Sequence, residues 1–145
     1  MLALVEQELV TRLEKRLPKD VRVLTADDLA GLTEERVPTP SVHVIYRGFK
    51  VAENRPDGTA ARINENWLVV AVVSATRRGG RSDANESATE LFDQIAPALM
   101  GWRPPSANGP LKLATPPPPA KTNHCLYLPS AFDVETTLHA TRSLE

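Results

Sequence analysis

Arg62-Ile63-Asn64-Glu65-Asn66-Trp67-Leu68-Val69-Val70-Ala71-Val72-Val73-Ser74-Ala75-Thr76 carries seven apolar residues in a row, Trp67 to Val73, five of them Trp or Val. Branched and aromatic side chains suit a pleated surface and lose rotamer freedom in a helix. A run this short, apolar at every position and bounded by polar residues, predicts a strand covered on both faces, central to one sheet. Upstream, Arg55-Pro56-Asp57-Gly58-Thr59 has turn chemistry. Proline presets φ, aspartate bonds its own backbone, and glycine accepts positive φ. Closing this turn between Arg55 and Thr59, with a bulge at Gly58, sets Val42, Val44 and Tyr46 opposite Val72, Val70 and Leu68. Those six form the expected core face. The other face then pairs Val51 with Ile63, Phe49 with Glu65, Arg47 with Trp67, Ile45 with Val69 and His43 with Ala71. It is too apolar to stand bare, so a helix of the chain or a neighbouring subunit should cover it.

The rest of the 145 residues arranges itself around this hairpin. Leu2, Val5, Leu9, Leu13 and Leu17 recur at helical spacing, predicting a first helix over 1–17 that Pro18 ends. Val21–Thr25 reads as an edge strand and Asp27–Leu32 as a brief helical turn. Pro38 and Pro40 enforce an extended approach to the hairpin. After the central strand comes a basic, glycine-containing loop, Arg77-Arg78-Gly79-Gly80-Arg81-Ser82. A second helix follows, with Asp83 and Glu86 spaced as a capping box and an apolar stripe of Ala84, Ala88, Leu91, Phe92, Ile95 and Leu99. Pro97 should kink or restart it, and Gly101 should end it. Seven of the 13 prolines fall between Pro104 and Pro119. Leu111–Leu113 is a short strand within this Pro-rich segment (104–121), and Pro116–Pro119 an exposed polyproline stretch. His124–Leu128 and Ala131–Thr137 read as one bent strand broken at Pro129 and Ser130. The expected fold class is α/β of the α+β type: one domain, with a single sheet built on a long antiparallel hairpin and helices packed against it.

Composition narrows the function. A net charge of −1 gives no global field to recruit nucleic acid. One cysteine, Cys125, permits no internal disulfide. No apolar run approaches the ~20 residues that span a bilayer, so a soluble cytoplasmic protein is expected. The search for chemistry finds no constellation. His124 and Cys125 are adjacent in a strand and point to opposite faces. His43 and His139 stand alone, and no Cys or His spacing suits zinc. Asp27-Asp28 and Glu34-Glu35 read as solvated acidic pairs. No catalytic residue, cofactor or metal is expected, and no enzyme. The loop bearing Arg77, Arg78 and Arg81 is either an anion seat or a solvated hinge, without the Lys-Ser/Thr of a phosphate-binding loop.

Several stretches carry a family resemblance: Val44-Ile45-Tyr46-Arg47-Gly48, Asn66-Trp67-Leu68-Val69-Val70-Ala71-Val72, Leu99-Met100-Gly101-Trp102-Arg103-Pro104, Gly109-Pro110-Leu111, and Tyr127 with Ser130-Ala131-Phe132-Asp133-Val134. In these the chain resembles the tail terminator (tail-completion) proteins of Mu-like phages and related prophages. That resemblance implies helices on a sheet, no catalytic residues, and self-assembly into a six-membered ring. Such a ring caps the tail tube, ends its growth and offers a joint to the head-completion or neck protein, with DNA only in transit through its hole. It implies residence in the host cytoplasm during assembly and then in the virion tail. The competing readings are a head–tail connector or neck subunit and a small cytoplasmic protein-binding module. In a ring, Ile45, Arg47, Phe49, Ile63, Trp67 and Val69 are the expected subunit interface, being rich in the types that anchor interfaces. Arg77, Arg78 and Arg81 are expected at the lumen or a rim.

Overall fold

The computed structural model describes residues 2–75 and 84–141. The chain runs α1 (Leu2–Arg16), β1 (Arg22–Thr25), α2 (Ala26–Leu29), β2 (Ser41–Asn54), β3 (Ala60–Ser74), α3 (Ala84–Leu99), β4 (Lys112–Ala114), β5 (Ala120–Lys121) and β6 (Cys125–His139). A 3-10 turn, Glu34–Arg36, lies between α2 and β2. The sheet order is β1-β2-β3-β6-β4, with β5 beside the start of β6. β1 joins β2 in parallel and every other pairing is antiparallel, giving a mixed six-stranded sheet with helices against it. This is the α+β architecture expected, with β3 at its centre.

The side chains of α1 and α3 fill one face. Val5, Leu9 and Leu13 of α1 and Ala88, Leu91, Ile95 and Leu99 of α3 pack on Val42, Val44, Trp67, Val69, Ala71 and Phe132. Fully burying each large apolar side chain is worth about 1.5–3 kcal/mol, so this layer dominates folding. Arg12 ties the two helices, its Nε donating to Ala98 O at 2.9 Å while its guanidinium lies 5.2 Å from the Trp102 ring. Glu8 of α1 accepts from Ser106 N (3.0 Å) and Oγ (2.6 Å), pinning the loop after α3.

The hairpin register differs from the expected one. Phe49↔Glu65 and Val51↔Ile63 pair as anticipated, but a bulge on each side shifts the rest. At the turn, Arg55 N bonds Ala60 O (2.8 Å), one residue beyond the predicted closure at Thr59, with Gly58 at φ +75°. A shift between Val51 and Glu53 absorbs that residue. A second shift spans Arg47 and Gly48, with Gly48 at φ +110°, a conformation that favours glycine. Beyond it Val44 faces Val69 and Tyr46 faces Trp67, so neither Val44 with Val70 nor Arg47 with Trp67 is a pair. A one-residue slip turns a strand over. Val42, Val44 and Tyr46 do face the core, but with Ala71, Val69 and Trp67, while Val70 and Val72 lie on the opposite side.

That opposite side is covered at one end by the segment before β2. Glu34 accepts from Tyr127 Oη at 3.0 Å and from Thr122 Oγ1, and Glu35 lies 3.6 Å from His124 Nε2. The acidic pair expected to be free surface is thus a clamp across the sheet. β6 is also unbroken. Pro129 sits opposite Val70 between the positions that β5 and β4 pair, where a missing N–H removes no outer ladder bond. α3 does not restart at Pro97, which stands in its final turn; Met100 N still bonds Ala96 O at 2.9 Å. Gly101, at φ +77°, ends it as expected. Asp83 of the proposed capping box lies outside the described residues.

Candidate functional site

The six residues expected on one subunit-facing surface are divided by the bulge at Arg47–Gly48. Ile63, Trp67 and Val69 are on the helix-covered side and 1, 1 and 0 % exposed, so the chain itself buries them. Trp67 is held there from two sides. Its ring lies 5.2 Å from Tyr46, tilted by 58°, and its Nε1 donates to Glu65 Oε1 at 2.9 Å. Glu65, itself buried, also accepts from Thr136 Oγ1 at 2.6 Å. Ile45 is half-buried on the opposite side with Leu68 and Tyr127. Only Arg47 and Phe49 are exposed. Arg77, Arg78 and Arg81 lie outside the described residues.

What remains accessible is the free half of β2. There Phe49 and Val51 are 49 and 55 % exposed on the helix side of the sheet. Lys50, one residue between them, faces the other way. Arg47, Phe49, Lys50, Asn64, Asn66 and Asp133 line an open cleft of about 420 Å³, in which Asn66 Nδ2 donates to Asp133 Oδ1 at 2.7 Å. Two cations and two carboxamides beside one engaged carboxylate favour acidic partner groups over cationic ones. Neither Lys50 nor Val51's exposure was singled out from sequence; isolated Gly48 within a strand pattern was the available signal, since such a glycine marks a bulge.

Reactive groups occur, but closed in. Ser41 Oγ and His43 Nε2 are 3.0 Å apart, the two residues being 0 and 5 % exposed. Burial pushes the His43 imidazole down to about 4 and the Cys125 thiol up, away from the thiolate a nucleophile needs. The Thr122 hydrogen bond, joined by that of Tyr127, holds the Glu34 carboxyl below its usual range. Burial, then donation to Glu34, raises the Tyr127 phenol. Among the described residues no group of three or more His, Cys, Asp or Glu is placed to hold a metal, and no helix is long and apolar enough to cross a membrane.

No curated protein matches the chain. A family model does, over nearly its whole length. It is that of the phage tail terminator protein, matching residues 1–142, and the chain belongs to that family.

Proposed function

We propose that this chain is a structural subunit that assembles into a ring on the finished end of a phage tail tube. The ring ends tube growth and presents the surface to which the head-completion protein docks, with DNA passing only through its hole. Membership of the tail terminator family carries this reading. The exposed Phe49–Val51 edge, unpaired on its outer side among the described residues, supports it by offering a place for subunit contact. Phe49→Glu should lower oligomer mass in solution and lengthen or leave unfinished the tails made in its presence, with the fold kept because the side chain is half in solvent. Light scattering and electron microscopy of tails check both. Unchanged mass and normal tails would remove Phe49 from the interface.

Arg77, Arg78 and Arg81 line the hole or one rim in this reading. Each exposed contact is weak, but a ring repeats three arginines per subunit around one axis. Screening confines their attraction to about 8 Å at physiological salt. Replacing all three with serine should cut infectious particles on the order of tenfold at low salt and by less at high salt, where screening already weakens the wild-type attraction, with circular dichroism unchanged. Wild-type yields at low and high salt alike would leave that loop a solvated hinge.

A further inference from the structure

β1 protects only the first part of β2, Ser41–Val44. Among the described residues, no strand lies beside the outer side of β2 from Ile45 to Asn54, and no other segment gives it a backbone hydrogen bond. Unpaired edges are templates for another strand, and proteins usually cover or charge them. The bulges at Arg47–Gly48 and before Glu53 blunt this one at its ends, leaving Phe49-Lys50-Val51 regular between them. A strand laid there meets apolar side chains on the helix side and, on the other, the cleft bearing Lys50 and Arg47. The matching strand alternates apolar and acidic residues.

The end of β6 in this chain approaches that pattern. In β6, Val134, Thr136 and Leu138 fall on the helix side, opposite Glu65, Ile63 and Ala61, while Asp133 and Glu135 fall on the cleft side. β4 covers the outer side of β6 only at Ala131–Asp133. Beyond that point no strand lies outside β6 among the described residues; one loop contact does, Asn108 N donating to Glu135 O at 2.8 Å and the Asn108 amide to Thr137 Oγ1. Leu138, like Phe49 and Val51, is an exposed large apolar side chain.

We infer that the open edge of β2 in one copy receives the Val134–His139 edge of β6 from the next copy, continuing the sheet from subunit to subunit. β2 and β6 are each antiparallel to β3, so they run in the same direction. With the helices kept on one side, the contact is a parallel one between two different edges. Such a contact leaves a free β2 edge on one copy and a free β6 edge on the other, and it closes only as a ring. Phe49 and Val51 then pack beside Val134 and Thr136 on the helix side, and Lys50 meets Glu135 on the other. The incoming strand displaces Asn108 from one carbonyl and gains a ladder in exchange. This inference rests on the ring reading and names its interface.

The test is a charge exchange in the full chain. Lys50→Glu and Glu135→Lys should each weaken self-association by about tenfold or more in sedimentation equilibrium, and the double variant should recover to within about threefold of wild type. Circular dichroism checks each fold; Glu135→Lys also loses its exposed 3.3 Å pairing with Arg62, so the recovery in the double variant is the decisive arm. Single variants that associate like wild type, or a double variant no better than the singles, overturn the edge contact while leaving the ring intact. A wild-type chain that stays monomeric both alone and when cross-linked on purified tail tubes overturns the ring and this interface with it.

Discussion

Trp67→Ala should destabilise the isolated chain by about 4–6 kcal/mol, enough to unfold much of the population of a marginally stable domain. Two losses add. Truncating a fully buried tryptophan to alanine costs about 3–5 kcal/mol through lost transfer energy and the cavity left behind. Removing the indole N–H also takes from Glu65, 0 % exposed, one of its two hydrogen-bond donors, leaving Thr136. An under-satisfied buried polar group costs about 1–3 kcal/mol more, less what collapse of the site recovers. Trp67→Phe separates the two, since it keeps much of the volume and loses only the donor. Urea midpoints at neutral pH measure both; an alanine variant within about 1 kcal/mol of wild type would mean that Trp67 is not the keystone of the helix-covered layer.

Acid should weaken the fold through His43, well before most carboxylates titrate. Burial of its imidazole lowers its affinity for a proton from 6.5 to about 4. Between those values the unfolded chain takes up a proton that the folded chain refuses, so stability falls as pH falls. The contribution is complete above about pH 6.5 and is lost progressively on the way down to about pH 4. At pH 5 the loss from this group alone is about 1–2 kcal/mol, allowing for partial solvent screening. His43→Gln keeps a partner for the Ser41 hydroxyl and cannot charge. The difference in urea midpoint between wild type and this variant should therefore shrink or reverse between pH 7.5 and pH 5. A constant difference would show that His43 is protonated in the folded chain at no cost.

The strand at Trp67–Val73, its hairpin, both long helices and the glycine that stops the second were all legible in the sequence, because each is written in local chemistry. Periodicity, a turn built from Pro-Asp-Gly and a C-terminal glycine act over a few residues. The family resemblance was legible too. The register was not. From Trp67 to Val73 β3 is apolar on both faces, so hydrophobic pattern is satisfied equally by either of two registers one residue apart. Tertiary packing chose between them. Tyr46 on Trp67, and Trp67 on a buried carboxylate held by Thr136 from β6, bring together residues from three strands that sequence spacing does not relate. The glycine at position 48 carries the slip that this packing requires. With that bulge in place, Phe49 and Val51 share the helix side with Ile63, Trp67 and Val69; the last three are buried within the chain, while Phe49, Lys50 and Val51 stay exposed. The surroundings of Cys125 likewise include Tyr127 bonded to Glu34, a contact across 93 positions of chain that no local signal announces.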